Sequence, residues 1–323
     1  MILIKKNEVC TGPEKTCGKT RNLFRIFVFI FCLLLTLYGI SGCSHKENAM
    51  PVLSHQSLGL SDVPNARQIG GYTAAGGRKI KDGIMLRSGA LHNASPADIG
   101  KLSDRYGVGT IIDFRTNQEV ADYPDPEIKN INHIHIPVLD EKHRPDNHGE
   151  DEISRIYEKY EDTPGRLYVE LIRTKPHPVN VYSNYFDSDV SMTAYRKFFD
   201  ALLSNRNGAI LWHCTKGKDR TGLATVMVLS LLGVSEDVIL ADFALTNEAY
   251  SHNIELMVAE ASEYTSDPDE LRRVAGLEGI WVENMQDVFD RAKKECGSLQ
   301  KFIQQKVGIS NNEVNQLREM YLE

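Results

Sequence analysis

Cysteine is scarce where a scaffold would need it. The chain has six, but Cys10, Cys17, Cys32 and Cys43 all fall near the N-terminus, and only Cys214 and Cys296 lie in the body. One bridge between those two is conceivable, but two thiols exclude a disulfide framework. There is no C-x-x-C pair and no H-E-x-x-H, so nothing suggests a zinc site, and we expect neither a metal nor an organic cofactor. Positive charge is also short. Residues 1–42 hold six Lys/Arg against two Glu, a net of +4, which leaves −11 for the rest of a chain whose total is −7. A body that acidic argues against nucleic acid as a partner, and any anion site in it must be a local concentration of cations. Internal repeats and low-complexity blocks are absent too, which excludes solenoid and array architectures.

What is present begins with an N-terminal address. Lys5, Lys6, Lys15, Lys19 and Arg21 precede an apolar run, IFVFIFCLLLTLYGI (26–40), which leads into ISGC. A basic segment, an apolar stretch and a small-residue cleavage site describe a secretory signal. The run is short for a membrane span of about 20 residues, so a cleaved signal is preferred to an uncleaved anchor. ISGC resembles a bacterial lipobox, which would make Cys43 the lipid-bearing first residue of the mature chain. The expected organisation is a lipoprotein signal at 1–42, a polar tether at 43–57 and one catalytic domain at 58–323. The expected location is the bacterial cell envelope, anchored to membrane and facing outside the cytoplasm.

Past Leu58 the pattern alternates. VGTIIDF (108–114) and GAILWH (208–213) read as buried strands, and HIHIPV (133–138) as another strand. Ser95, Pro96 and Asp98 start a helix that ends near Gly107. YRKFFDALLS (195–204) is amphipathic, TGLATVMVLSLLG (221–233) is an apolar helix closed by Gly233, Ser235 caps another, 279–295 makes a further one, and Ser310 with Glu313 forms a capping box for the last. The expected fold is α/β, a mainly parallel sheet flanked by helices with a helical C-terminal part. Residues 139–190 are charged, then rich in Pro, Asn and Tyr; they predict a largely irregular lid-like insertion with a helix at 166–172.

The chemistry is concentrated in HCTKGKDRTG (213–222), which leaves one buried strand and enters a buried helix. Such a turn aims backbone N–H groups and a helix N-terminus at one point and makes an anion site. A thiol there, among cations, is favoured as its thiolate. Cys214 is therefore the candidate nucleophile toward phosphorus. Arg220, in the spacing C-x5-R, can hold two phosphoryl oxygens through its planar fork. The predicted phosphate cradle is Thr215, Lys216, Gly217, Lys218, Asp219, Arg220 and Thr221. Lys218 adds a point charge, Gly217 lets the backbone turn, and Thr221 can meet the sulfur. The reaction is hydrolysis of a phosphate monoester through a cysteinyl-phosphate, with an acid to protonate the leaving oxygen.

HCTKGKDRTG resembles the active-site loop of cysteine-dependent tyrosine phosphatases, and in particular an atypical bacterial branch whose loop reads HCxAGKDRTG and which includes secreted phosphatases of phosphotyrosine and phosphoinositides. NARQIGGYTAAGGRKIKDGIMLRSGAL (65–91), IIDFRTNQEV (111–120), ADFALTN (241–247) and GSLQKFIQQKVGIS (297–310) are similar to other segments of that branch, in the same order. The resemblance implies a tyrosine-phosphatase-like fold over roughly 60–322. It also implies Asp219 as general acid; Asp113, at a strand end, is next unless it merely pairs with Arg115 or another basic group, and Asp187 and Asp189 in the insertion follow by analogy with a mobile acid loop, Asp187 third in order. Two positions depart from the pattern: Gln68 stands where Asp is usual and Lys216 where Ala is usual. Lys216 with Lys218 makes the loop more cationic. That raises a polyphosphorylated inositol or phosphoinositide as the alternative to a phosphotyrosine protein, unless Lys216 is merely solvated. Outside these readings stand a phosphate-binding module without catalysis, which loss of Cys214 or Arg220 would have marked, and a rhodanese-like sulfurtransferase, which the DRTG ending fits less well.

Overall fold

The structure is a computed structural model and describes Leu53 and residues 56–140, 152–174, 181–206 and 208–323. The expected signal at 1–42, Cys43, nearly all of the tether and part of the insertion lie outside the described residues.

Five strands form one sheet: β1 (Arg67–Gln68), β2 (Met85–Ser88), β3 (Val108–Asp113), β4 (Asn132–His135) and β5 (Ala209–His213). Their spatial order is β1-β2-β5-β3-β4, antiparallel at β1–β2 and parallel elsewhere. This is the mainly parallel α/β sheet expected. Alternation along each strand divides the core between two faces. Met85, Ile112, Ile210 and Trp212 enter the main core, and Leu86, Ile111, Ala209 and Leu211 enter a second core on the other side. The register sets Ser88 and Asp113 beside His213, and His135 beside Asp113. Four strands thus end at one edge, where open parallel sheets bind their ligands.

Helices flank the sheet: α1 (Pro96–Gly100, continued by a π turn over Lys101–Arg105), α2 (Asn117–Asp122), α3 (Glu152–Tyr160), α4 (Pro164–Thr174), α5 (Val181–Phe186) and α6 (Asp189–Ser204) precede β5. After it come α7 (Arg220–Leu232), α8 (Glu236–Ala249), α9 (Ser251–Ala261), α10 (Pro268–Glu278), α11 (Val282–Cys296), α12 (Leu299–Val307) and α13 (Asn311–Tyr321). All thirteen residues of α7 are buried, as a helix apolar on every side must be. Gly233 ends it at φ 84°. The capping box of Ser310 and Glu313 is present.

Two expectations need correction. The insertion is more helical than its composition suggested. α4 buries Leu167, Val169 and Ile172; of these, Val169 and Ile172 join Ala261 and Val274 in a small separate core formed with α9 and α10. α5 forms within the Asn/Tyr-rich stretch because Tyr182 and Phe186 reach the main core; tertiary burial overrides weak propensity. Ser235 stands at the N-cap of α8, but its side chain makes no capping bond; Glu236 and Asp237 supply negative charge to that helix end instead. Cys214 and Cys296 are both free thiols.

Candidate active site

The loop between β5 and α7 starts with Cys214, which is only 2% exposed. Its carbonyls are held from outside. The Thr215 carbonyl accepts from Ala90 N at 3.0 Å and the Lys216 carbonyl from Tyr250 Oη at 2.8 Å. The Gly217 carbonyl accepts from Arg87 Nη2 at 2.7 Å and Asn65 Nδ2 at 2.9 Å. In a trans peptide the N–H points opposite its carbonyl. Anchoring three successive carbonyls on the outer side therefore turns the N–H groups of Lys216, Gly217 and Lys218 toward the loop's interior, an anion nest. Gly217 is required here: its φ is 65°, and a Cβ would lie 2.4 Å from the Ser88 carbonyl oxygen.

The outer anchors form a buried ionic frame. Asp242 Oδ1 accepts from Arg67 Nε at 3.1 Å and Tyr72 Oη at 3.1 Å, while Oδ2 accepts from Arg87 Nη1 at 3.2 Å. Burial alone would raise the Asp242 pKa, but Arg67 and Arg87 outweigh it and the carboxyl titrates below its ordinary range. Arg87 has no exposed surface; burial and the nearby Arg67 draw its pKa down to about 9. Asn65, at φ 56°, adopts the left-handed conformation that Asn tolerates and accepts from Arg67 Nη1 through Oδ1.

Arg220 opens α7 and is forked onto Glu119, with Nη1–Oε2 at 2.6 Å and Nη2–Oε1 at 2.8 Å. Nη2 also donates to Thr215 Oγ1 at 3.1 Å, and that hydroxyl donates to Glu119 Oε1. Burial opposes the Glu119 charge, but Arg220 and Thr215 prevail and its pKa falls to about 2. Glu119 is the Glu of the family-like D-x-R-x-x-x-E segment at 111–120, but sequence reasoning gave it no role at the site. Its signal was the T-x-x-E of a capping box: Thr116 caps α2, and Glu119 Oε2 accepts from Thr116 N at 2.8 Å. One carboxylate thus closes a helix and orients the candidate phosphate-binding arginine. Thr221 Oγ1 is buried and without a hydrogen-bond partner among the described residues.

The three candidate acids separate clearly. Asp219 lies in the loop at the N-cap of α7 without a capping bond, and Oδ1 accepts from Tyr182 Oη at 3.0 Å. Asp113 is held by Arg115, Nη2 to Oδ2 at 2.7 Å; burial raises its pKa, but His213 and Arg115 reverse the effect and keep it ionised. Asp187 accepts from Arg291 at 2.6 and 2.8 Å and from Lys306 at 3.1 Å. Arg291, opposed only in part by burial, lowers its pKa to about 2, so Asp187 holds no proton to give. Asp189 stands in the first turn of α6.

Behind the loop, buried His213 places Nε2 3.1 Å from Asp125 Oδ2 and Nδ1 3.8 Å from Asp113 Oδ1. Burial would strip its proton; the two carboxylates overcome that and raise its pKa. Asp113, Asp125 and His213 are close enough together to ligate a cation, but Arg115 already bridges both carboxylates, at 2.7 and 2.8 Å. The loop lysines are engaged by α10. Lys216 Nζ lies 2.9 Å from both Glu278 carboxylate oxygens. Lys218 Nζ donates to the carbonyls of Leu277 at 2.7 Å and Gly279 at 2.9 Å. Burial lowers the Lys218 pKa. Lys216 is thus an ion-paired group rather than a solvated one.

A strand–nest–helix turn carrying a buried cysteine and a fixed arginine at the carboxyl edge of a parallel sheet defines a phosphoric monoester hydrolase. Residues 58–323 match the tyrosine phosphatase family, and the chain belongs to it. It is similar to a protein of Cupriavidus necator whose name assigns it to the tyrosine-protein phosphatases, 28% identical over 218 residues, covering 64% of this chain and 72% of that one. A tyrosine-protein phosphatase of Nostoc commune is 25% identical over 159 residues, covering 46% of each chain. The triple specificity protein phosphatase PtpB of Mycobacterium tuberculosis is 29% identical over 121 residues, covering 35% of this chain and 44% of that protein. The chain therefore spans less than half the length of the last two.

Proposed function

We propose that this phosphatase hydrolyses phosphotyrosine in proteins through a cysteinyl-phosphate, as a member of the atypical bacterial branch with the HCxAGKDRTG loop. The observation that carries the reading is the outward anchoring of the Thr215, Lys216 and Gly217 carbonyls around Cys214. A nest preorganised before substrate arrives stabilises phosphoryl charge without reorganisation cost in the transition state. Cys214 Sγ attacks phosphorus, the S–P bond forms as the P–O bond to tyrosine breaks, and Asp219 gives its proton to the leaving phenolate oxygen. Water then attacks the phosphocysteine, Asp219 takes a proton from it, and the thiolate departs. Arg220, steadied by Glu119, binds two of the equatorial oxygens in both steps. Thr221 donates to the departing sulfur.

The fine location rests on the sequence: the basic segment, the apolar run and ISGC support lipidation at Cys43 and an envelope-anchored enzyme facing outside the cytoplasm. The catalytic reading is tested with Cys214→Ser. Turnover of a phosphotyrosine peptide should be lost while inorganic phosphate still binds by calorimetry, because the N–H nest does not depend on the sulfur. Activity above about a thousandth of wild type, an order-of-magnitude limit for loss of the covalent route, would sink the nucleophile assignment.

A further inference from the structure

Glu278 is a buried carboxylate with an unusual position. It ends α10, its side chain is 7% exposed, and it meets the half-open Lys216, 37% exposed, at the rim of the phosphate loop. Tyr168 Oη, from α4 in the insertion, donates to its second oxygen at 2.9 Å. Burial opposes its charge, but Lys216 prevails and the carboxyl stays ionised. The end of α10 is fixed independently: Asn247 holds the segment that follows it, accepting from Ile280 N at 2.8 Å and donating to the Ile280 carbonyl at 3.2 Å. Lys218 adds its bonds to the last carbonyls of the helix, a favourable place for a cation.

A surface ion pair needs no buried carboxylate, and such pairs contribute little. Glu278 instead gives up hydration to sit where a second phosphate of a polyphosphorylated substrate would have to find its cation. We infer that Glu278 is a specificity residue: it neutralises Lys216 and repels a second phosphate at the rim, so that the loop accepts a phosphate monoester carrying one phosphate and rejects inositol polyphosphates. This rests on the phosphatase reading above and sharpens it. Discrimination by a placed like charge is a recognised route to specificity, and like charges across a few ångströms in a partly desolvated site repel strongly.

The test uses the full-length protein in detergent and compares a singly phosphorylated tyrosine peptide with inositol 1,4,5-trisphosphate. Glu278→Gln keeps the shape, leaves an oxygen for Tyr168 and Lys216, and removes the charge. It should raise kcat/KM for the trisphosphate by about tenfold or more, the worth of one charge-assisted contact, and change that for the peptide by less than about threefold. Adding Lys216→Ala to Glu278→Gln should remove most of the gain, leaving only the part that came from relieving direct repulsion by Glu278. Equal effects on the two substrates, or no gain on the trisphosphate, would overturn the inference and make Glu278 a structural support. A measurement on the wild type avoids any doubt about folding: the peptide should be preferred at least about tenfold in kcat/KM, and parity would equally refute the proposal. Absence of hydrolysis of both substrates by wild type would instead defeat the phosphatase reading itself, and this inference with it.

Discussion

Asp242→Asn tests whether the loop is held by its buried frame. Asp242 is 1% exposed and receives Arg67, Arg87 and Tyr72. An asparagine has the same shape but one acceptor oxygen. Its NH2, whichever oxygen it replaces, faces an arginine N–H and becomes a donor against a donor. Two guanidinium groups are left buried with no carboxylate between them. Removing one partner of such a buried network costs about 3–5 kcal/mol. With a urea m-value of about 2–3 kcal/mol/M, the unfolding midpoint should fall by roughly 1–2.5 M. The sign with pH follows from the lowered Asp242 pKa. A carboxylate depressed in the folded state stabilises above its unfolded pKa, about 3.9, and loses that contribution as pH falls through the folded value. The gap between wild type and variant should stay constant from pH 7 to about 5 and close below about pH 4. Because Arg87 Nη2 also holds the Gly217 carbonyl, phosphatase activity should fall with the stability. A loss under about 1 kcal/mol, within the range of ordinary surface changes and small core adjustments, or a gap indifferent to pH, would refute the frame as described.

The acid assignment is separable from loop positioning by leaving group. Asp219→Asn should slow an alkyl phosphate by about 10²–10⁴-fold but an activated aryl phosphate far less, and equal slowing would show that the residue only shapes the loop beside Tyr182. For the membrane anchor, Cys43→Ala should abolish incorporation of a clickable fatty acid in cells, while equal labelling of wild type and variant would rule out lipidation at that cysteine.

Much of the site could be read in the chain because its geometry is local. Cys214 to Thr221 are contiguous, the strand before them is a continuous apolar run, and the helix after them is apolar on all sides. β3 and β5 were legible for the same reason. β1 and β2 were not: they are two and four residues long, and Arg67, Arg87 and Ser88 sit in them fully or nearly buried. A buried arginine breaks the hydrophobic pattern by which a strand is recognised, and only the distant Asp242 explains it. The pairings of Glu119, though its segment was family-like, and of Glu278 escaped for a related reason. Each glutamate completes an ion pair with a loop residue roughly 100 and 60 positions away along the chain (separations of 101 and 62), and sequence separation hides such a partner. The insertion was misjudged because its helices are stabilised by a core shared with α9 and α10 rather than by their own composition.

The charges explain how so acidic a body holds a phosphate dianion. Among the described groups behind and around the loop, Arg115 and His213 face Asp113 and Asp125, and the two carboxylates favour the His213 proton. Arg220 is matched by Glu119 and Lys216 by Glu278. Arg67 and Arg87 share the single carboxylate of Asp242, and Lys218 meets carbonyl dipoles. The positive groups beside the loop are thus Arg87, which shares one carboxylate with Arg67, and Lys218, whose hydrogen bonds go to carbonyls. Both lie against the loop, where Arg87 and Lys218 each interact electrostatically with Cys214. That positive charge sits in a partly desolvated site, where a fixed charge acts more strongly than it would in water. It can therefore focus an anion onto the nest against the negative field of the surrounding protein. This positive charge lies in the depth of the loop, and the rim lysine is neutralised, which is the distribution expected of a site for one phosphate.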